Sequence, residues 1–339
     1  MSARGWILVA VVAAAVLLVA AYAWTSAPGG GGSAGLPSSG AGETRIGRLD
    51  AVPAPPFLLV RSLVPDGTHG RVAIAPLTAP DGPRYFAPLT CERVFYAAGQ
   101  GVCLTIGVQG IRTVYAAEIF DASFAVRGRV RLTGVPSRVR VAPDGKLAGV
   151  TVFEEGHSYA ERGYSTRTTL IDLGAAAEIA DLESFAVTRD GQPFHAVDFN
   201  FWGVTFTKDS NRFYATLGSG DVKYLVEGDV NARTARVVAS GVECPSLSPD
   251  NTRIAYKKAH TDARGIGWTL HVLELETRAD TALAAETRSV DDQVEWLDDR
   301  RVMYHQPSSK GADIWVMDID GRTPPALLVP MAYSPAVVR

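Results

Sequence analysis

The chain has 339 residues and a formal net charge of −3, with acidic and basic residues intermixed. It carries no basic stripe, which excludes the electrostatic footprint of a nucleic-acid-binding protein. The part that follows the first fifty residues has an ordinary length for one all-β domain, and a core of that size needs no disulfide scaffold.

The first predicted element is an uncharged apolar run at residues 7–24 (ILVAVVAAAVLLVAAYAW) behind Arg4. Its length matches the shortest membrane-spanning helices and exceeds the usual core of a signal peptide. A small-x-small sequence at residues 21–23 also fits a cleavage site, so residues 1–26 are interpreted as either a signal-anchor or a cleaved signal peptide. Because Arg4 keeps the N-terminus in the cytoplasm, we expect the rest of the chain outside it, on a single-pass membrane anchor or secreted.

A flexible linker is predicted next, at residues 27–50. Its first part, residues 27–42 (APGGGGSAGLPSSGAG), is rich in Gly, Ser and Pro and cannot bury enough apolar surface to order itself. The sequence therefore predicts one folded domain, residues 51–339, behind the N-terminal segment and its linker.

The folded part repeats one sequence pattern, which predicts a strand, a turn of the Pro-Asp-Gly type, a second strand, a loop and a third strand. The turn acids are separated by 65 (144 to 209), 41 (209 to 250) and 49 (250 to 299) residues. A four-stranded propeller blade takes roughly 40–50 residues, and the segment 154–167 supplies the insertion that the long interval needs. The first two strands of these units are residues 138–150 (RVRVAPDGKLAGV), 204–217 (VTFTKDSNRFYATL), 245–257 (PSLSPDNTRIAYK) and 294–305 (VEWLDDRRVMYH).

Two weaker units precede these four, one at residues 57–77 and one at residues 92–120, which gives a count of six. Residues 331–338 (MAYSPAVV) look like the opening strand of a unit that does not continue, and the first unit lacks such a strand. We expect this segment to pair with residues 57–62, which would close the ring and hide two sheet edges. The predicted fold is therefore an all-β, six-bladed β-propeller.

The three cysteines divide into a pair and a single residue. Cys91 and Cys103 flank the tight turn at residues 99–101 of a predicted hairpin, within reach of a disulfide, which an exported protein could form. Two buried reduced thiols are the alternative. Cys244 is expected to be a buried free thiol on an inner strand.

The sequence shows no local catalytic or metal-binding motif: the six histidines are scattered singly, and Walker, HExxH, EF-hand and paired-cysteine patterns are missing. We therefore predict no catalytic residue, no metal site and no cofactor. Turn chemistry accounts for Asp298 and Asp299 but not for Asp291 and Asp292, where a cation or a basic partner remains an alternative.

Three short sequences are similar to those of a known family: APDG at 142–145, SPDN at 248–251 followed by IAY, and IWVMDIDG at 314–321. They resemble the repeat of TolB-like six-bladed β-propellers. The resemblance covers about 200 residues of this chain and concerns only the propeller part of those proteins. It implies an extracytoplasmic interaction protein rather than an enzyme.

The loops predict which face binds. Turns between first and second strands form a short, uniform turn face, whereas second-to-third loops and the crossovers between blades form a variable crossover face. We expect a monomer that binds an envelope protein, peptide or glycan there, and we expect Asp291 and Asp292 to be tolerant loop positions. The alternative is a propeller enzyme of the lyase, glycosidase or metal-dependent lactonase type, with residues that converge over the channel. The candidate binding residues are His157, Tyr159, Tyr164, Asp198, Asn200, Trp202, His260, Trp268, Asp291, Asp292 and Tyr333.

Overall fold

The computed structural model describes residues 56–154, 165–261 and 265–339, and the backbone alone of residues 44, 45 and 262. The predicted N-terminal helix and residues 27–43 of the predicted linker lie outside the described residues. Within the described residues, no helix has the length and apolar character that crossing a membrane requires.

The described strands form six β-sheets, each built around four antiparallel strands that run from the channel to the rim, and together they make a six-bladed propeller. Blade 1 contains β27 (Ala332–Val338), β2 (Phe57–Ser62), β3 (Arg71–Pro76) and β4 (Tyr85–Thr90), and blade 2 contains β5 (Arg93–Ala97), β6 (Gln100–Gln109), β7 (Arg112–Asp121) and β8 (Val126–Leu132). Blade 3 contains β9 (Gly134–Val141), β10 (Leu147–Glu154), β11 (Thr166–Asp172) and β12 (Ala177–Asp181), and blade 4 contains β15 (Asn200–Phe206), β16 (Arg212–Ser219), β17 (Val222–Asp229) and β18 (Thr234–Ser240). Blade 5 contains β19 (Glu243–Leu247), β20 (Arg253–Asp262), β21 (Gly265–Glu274) and β22 (Asp280–Ala282), and blade 6 contains β23 (Glu295–Trp296), β24 (Arg301–Ser308), β25 (Gly311–Asp318) and β26 (Ala326–Val329).

Three short strands lie outside this plan. β1 (Thr44–Arg45) pairs in parallel with β4 at the rim of blade 1. β13 (Ala186–Arg189) and β14 (Gln192–Pro193) extend the rim of blade 4, and a 3-10 turn at Leu182–Ser184 leads into them. The crossover from blade 3 to blade 4 is therefore a structured segment rather than a simple loop.

The repeated turn is held by one aspartate in each of four blades. Asp209 Oδ1 accepts hydrogen bonds from the backbone N–H groups of Asn211 and Arg212, at 3.0 and 2.9 Å. This local bond favours the tight reversal between the first and second strands. The equivalent acids, each bonded to the N–H two residues later, are Asp144, Asp250 and Asp298. The last of these lies one residue before position 299, which the sequence spacing used.

The ring closes as predicted, because β27 is the innermost strand of blade 1. It pairs antiparallel with β2, with Leu58 opposite Val337 and Arg61 opposite Tyr333. Both chain ends of the propeller therefore meet in one sheet, and β27 covers the edge of β2 that would otherwise face the channel.

Blades pack through buried apolar side chains, and glycine permits the closest contacts within them. A Cβ on Gly101 would lie 2.1 Å from Cζ of Phe120, and one on Gly228 would lie 2.0 Å from Cζ of Phe213. Each ring therefore covers a glycine on the neighbouring strand of its own blade, which ties these sequence positions to core packing.

A disulfide joins Cys91 and Cys103, whose Cα atoms are 5.3 Å apart. Cys91 lies on the crossover from blade 1 to blade 2, and Cys103 lies on β6. The bond therefore attaches that crossover to the second strand of blade 2. Cys244 is a buried free thiol in β19.

Candidate functional site

Exposed apolar side chains are distributed unequally between the two faces. Among the described residues, nine large apolar side chains are exposed, and seven of them lie toward the crossover face. Ile111, at the tip of the β6–β7 hairpin, is fully exposed, and Val108 beside it is 77 % exposed. The other five on this face are Ile106, Val135, Val197, Val222 and Ile266.

Side chains of the inner strands reach between blades at the centre of the ring. Arg140, on the inner strand of blade 3, donates to the carbonyl of Val294 in blade 6 at 2.7 Å. Gln293 donates through Nε2 to the carbonyls of Val204 in blade 4 and Pro245 in blade 5, at 3.1 and 2.8 Å. These contacts join blades 3, 4, 5 and 6, and the charged side chains around them at the centre of the ring are called the cup.

One side of this cup is built around Asp292, whose side chain is only 3 % exposed. Its Oδ2 lies 2.7 Å from His305 Nδ1 and its Oδ1 lies 3.6 Å from Arg93 Nη1. Tyr333 packs against both partners: its ring centroid is 4.1 Å from the guanidinium of Arg93 and 4.2 Å from the imidazole of His305. Burial acts to raise the pKa of Asp292, but His305 and Arg93 outweigh it, so the pKa is held well below its usual range.

A second charged group lies beside the first, because Asp291 directly precedes Asp292 in the chain. Lys257, almost buried, pairs with the exposed carboxylate of Asp291. Its ammonium lies 4.4 Å from the ring centroid of Trp268, and Trp268 Nε1 donates to Glu243 at 3.1 Å. This arrangement places an aromatic surface between two acids of the cup.

The structure thus brings four predicted site residues into the cup: Trp268, Asp291, Asp292 and Tyr333. Asp292 is a buried counter-ion, however, and not a tolerant loop position. Sequence reasoning assigned Asp291 and Asp292 similar roles because a sequence does not reveal which of two adjacent acids points inward.

The remaining described candidates have local structural contacts. Asp198 accepts from Ser219 Oγ and from the N–H of Gly220, and so holds the β16–β17 turn. Asn200 accepts from the N–H of Thr166 at 2.9 Å, and the buried Trp202 lies under the ammonium of Lys223. His260 lies near the end of the β20–β21 hairpin, opposite Gly267. The three candidates on the insertion, His157, Tyr159 and Tyr164, lie outside the described residues.

Sequence reasoning missed the cations of the cup, which are Arg93, Arg138, Arg140 and Lys257. Arg138 and Arg140 stand at alternate positions of an inner strand, so their side chains leave the same side of β9. Two charged residues at alternate positions of an otherwise apolar inner strand predict side chains that face the channel, because the rest of such a strand is buried between apolar neighbours. Among the described residues, no group of three His, Cys, Asp or Glu side chains is arranged to hold a metal ion.

No family model matches the chain, and no curated protein matches it in sequence. Among solved structures it is similar to TolB from Acinetobacter baumannii, with 16 % identity, a TM-score of 0.56 and coverage of 83 % of this chain and 65 % of that chain. A chain of the nidogen–laminin complex gives 10 % identity, a TM-score of 0.57 and coverage of 84 % and 99 %. The periplasmic gluconolactonase of Pseudomonas aeruginosa gives 11 % identity, a TM-score of 0.45 and coverage of 84 % and 99 %.

This chain therefore spans 65 % of the length of the TolB structure that it resembles. At these identities the likeness concerns the fold and not the activity or the partners. The family resemblance of the repeated turn phrases is confirmed at that level: the chain folds as a TolB-like six-bladed β-propeller.

Proposed function

We propose that this protein is a docking scaffold outside the cytoplasm and that it binds a polypeptide partner on its crossover face. The observation that carries the proposal is that seven of the nine exposed large apolar side chains among the described residues lie toward that face, on blades 2 to 5. Exposed apolar patches with polar surroundings are typical of protein interaction sites. The scaffold beneath is rigid because each blade is packed against its neighbours, so a partner would meet a preformed surface.

The β6–β7 hairpin is the most prominent part of this surface. Both of its strands have ten residues, and their pairing continues to Gln109 opposite Arg112. Val108 and Ile111 stand at this end, where they have no core to enter. Their burial against a partner would contribute about 1.5–3 kcal/mol for each side chain.

Partner capture by the full chain tests the proposal. The variant carries Val108→Ser with Ile111→Ser, and the matched control carries Val126→Ser with Leu327→Ser, which removes two exposed apolar side chains from the turn-face side. Cross-linking in the cells that produce the protein, followed by mass spectrometry, should recover the same partner with the wild type and the control. We expect the crossover-face variant to lose at least about tenfold of that recovery, since 1.4 kcal/mol corresponds to a factor of ten. Equal losses in both variants would contradict the face assignment.

A catalytic propeller is the second candidate function, and the contact between His305 and Asp292 is the observation that favours it. An imidazole oriented by a buried carboxylate is the usual arrangement of a general base. If the purified chain turns over an envelope peptide, glycan or lactone, and if His305→Gln abolishes that turnover, the protein is an enzyme and the scaffold proposal is wrong.

The location outside the cytoplasm rests on the predicted N-terminal segment. An alkaline phosphatase reporter, which is active only outside the cytoplasm, is fused after residue 42. We expect activity in intact cells, because Arg4 holds the N-terminus inside. An inactive phosphatase together with an active cytoplasmic reporter at the same junction would reverse the predicted topology.

A further inference from the structure

The β6–β7 hairpin of blade 2 is longer than the strands on either side of it. β5 pairs with β6 only as far as Leu104, which lies opposite Arg93, whereas β6 continues to pair with β7 as far as Gln109. Residues 105–109 of β6 therefore have β7 on one side and, among the described residues, no strand on the other. This part of β6 is a free sheet edge on the side where β5 pairs with the rest of the strand.

The backbone groups that line this edge follow from the pairing of the residues before it. The carbonyl of Leu104 accepts from the N–H of Glu92, so the N–H and C=O groups of Leu104 point toward the β5 side. Because these groups alternate in direction along a strand, those of Ile106 and Val108 point to the same side, and those of Gly107 point to β7. Two N–H groups and two C=O groups at the edge therefore have no partner from the described part of the chain.

The edge has none of the charges that usually prevent strands from joining. Residues 105–109 read TIGVQ, with no charged residue and no proline. Blade 5 offers a comparison, because β20 and β21 also have ten residues each and β20 pairs with β19 only as far as Lys257. The residues of β20 beyond that point, 258–262, read KAHTD and include a lysine and an aspartate. Since charged edge residues oppose the addition of a strand, the edge of β20 is protected and the edge of β6 is open to pairing.

The side chains beside this edge limit what can pair with it. Ile106 and Val108 lie on one face of β6, and they are 45 % and 77 % exposed. In an antiparallel pair, the residues opposite these two place their side chains on that same face, at every second position. A charge on the added strand would lose water here without gaining an ionic partner. The complementary segment is therefore extended, uncharged and apolar at alternate positions.

We propose that β6 binds a strand from another polypeptide along residues 105–109. The partner segment pairs antiparallel with Ile106 and Val108, as the four strands of blade 2 pair with one another. Main-chain hydrogen bonds supply the affinity and the two side chains supply the selectivity, as is usual for strand addition. The inference rests on the proposed docking function and names the form of the partner, because this edge is continuous with the exposed Ile111 at the tip of the same hairpin.

Hydrogen exchange in the full chain in detergent micelles tests the edge itself. NMR of the ¹⁵N-labelled protein follows the amide groups of residues 105–108. We expect the N–H groups of Ile106 and Val108 to exchange at least about tenfold faster than those of Thr105 and Gly107, because only the latter two are bonded to β7. Equal protection of all four would show that another segment of this chain covers the edge. Protection that appears only at high protein concentration would show that a second copy covers it, and either result would overturn the proposal.

A synthetic peptide, acetyl-TVTIT-amide, is the probe for strand addition. Its saturable binding should slow exchange at Ile106 and Val108 by about tenfold or more and leave exchange at Thr105 and Gly107 unchanged. The same peptide with methyl groups on the backbone nitrogens of its two apolar residues cannot donate to the edge. It should therefore bind at least about tenfold more weakly. Equal binding of the two peptides, or no binding of either, would overturn strand addition.

Two variants of one residue separate the backbone from the side chain. Val108→Pro removes an N–H from the edge and keeps an apolar side chain, and β7 does not need that N–H. It should weaken peptide binding by about tenfold or more, since a carbonyl of the peptide is left without a donor. The matched control Val108→Thr keeps the N–H and the β-branched shape and should bind nearly as well as the wild type. Equal binding by both variants would overturn the proposal, and the methylated peptide tests it on the wild type if Val108→Pro fails to fold.

These results do not depend on partner capture in cells. If the peptide fails to bind while Val108→Ser with Ile111→Ser still loses the captured partner, strand addition is wrong and the docking function stands. If the peptide binds the edge while those substitutions leave capture unchanged, the edge is supported and the docking function is wrong. The failure of one proposal is therefore distinguishable from the failure of the other.

Discussion

Asp292 is the acid of the cup that joins side chains from several blades. Its carboxylate contacts His305 and Arg93, and one oxygen also accepts from the backbone N–H of His305 at 3.2 Å. Arg93 in turn lies over the ring of Tyr333. A single buried carboxylate therefore holds side chains from blades 1, 2 and 6 in position, and its removal would leave Arg93 as an uncompensated buried cation.

Asp292→Asn should accordingly destabilise the protein by about 3 kcal/mol, the usual cost of removing one partner from a buried ion pair. The matched control is Asp291→Asn on the adjacent residue. Its carboxylate is 60 % exposed and keeps its contact with water, but its partner Lys257 is buried, so we expect a loss of unfolding free energy that is smaller than that of Asp292→Asn without being zero. Urea unfolding followed by tryptophan fluorescence measures both. Similar losses of unfolding free energy in the two variants would show that Asp292 is not a buried counter-ion.

The same residue predicts a difference in acid sensitivity. The folded state lowers the pKa of Asp292, so the stability that its charge provides is present above the unfolded value of about 3.9 and is lost as the pH falls toward the folded value. The gap in unfolding free energy between the wild type and Asp292→Asn should therefore shrink below about pH 4. Urea midpoints at a series of pH values test this, and a gap that widens in acid would contradict the lowered pKa of Asp292.

At the scale of the elements, the inner strands bend where they meet the crossover face. Gly203, Cys244 and Ser334 each have a positive φ, of 69°, 50° and 54°. In β15 and β19 the ladder register shifts at the same place. Such bulges redirect side chains, and here they precede the carbonyls of Val204 and Pro245, which accept hydrogen bonds from Gln293.

Gly203→Ala tests this geometry. Its φ disfavours a side chain, and a Cβ would lie 2.9 Å from the Cα of Cys244 on the next blade, so we expect a loss of about 2 kcal/mol or more. Gly220→Ala is the control, because its φ is also positive but no atom lies within 4 Å of the added Cβ. That variant should lose only about 1 kcal/mol. Thermal unfolding compares them, and equal losses would mean that the contact between blades 4 and 5 is unimportant.

The sequence predicted most strands of the repeats, but it did not predict the bulges at Gly203, Cys244 and Ser334. Alternation and the Asp turns placed the first, second and third strands of the repeats, and the unpaired segment 331–338 indicated the closure that β27 makes. The bulges were not predictable, because Cys244 and Ser334 adopt a positive φ only through contacts with neighbouring blades. β13 and β14 were missed for a similar reason, since β13 gains its partner from β18, whose paired residues lie 48 positions further along the chain (186 to 234).

For the whole molecule, the ring brings together residues that the sequence keeps far apart. Arg93, Arg138 and Asp292 come from three different blades and share one cavity, although up to 199 residues separate them. No local motif can reveal such a site. The variable loops of the crossover face were predictable because loop length and loop composition are local properties, whereas the cup residues depend on the closure of the ring.

Closure makes the last nine residues essential to the whole fold. β27 pairs with β2 in blade 1, Ser334 Oγ donates to the carbonyl of Val94 in blade 2, and Arg339 donates to the carbonyls of Trp296 and Leu297 in blade 6. Removal of residues 331–339 would therefore separate three blades and expose the β2 edge, which favours edge-to-edge aggregation.

We expect the truncated chain to elute as large aggregates in size-exclusion chromatography. The control is Arg339→Gln, which removes one of these contacts and should remain monomeric. A synthetic peptide of residues 331–339, added during refolding, should restore part of the monomer by pairing with β2. A truncated chain that is monomeric and melts at the wild-type temperature would show that the other five blades hold the ring without this strand.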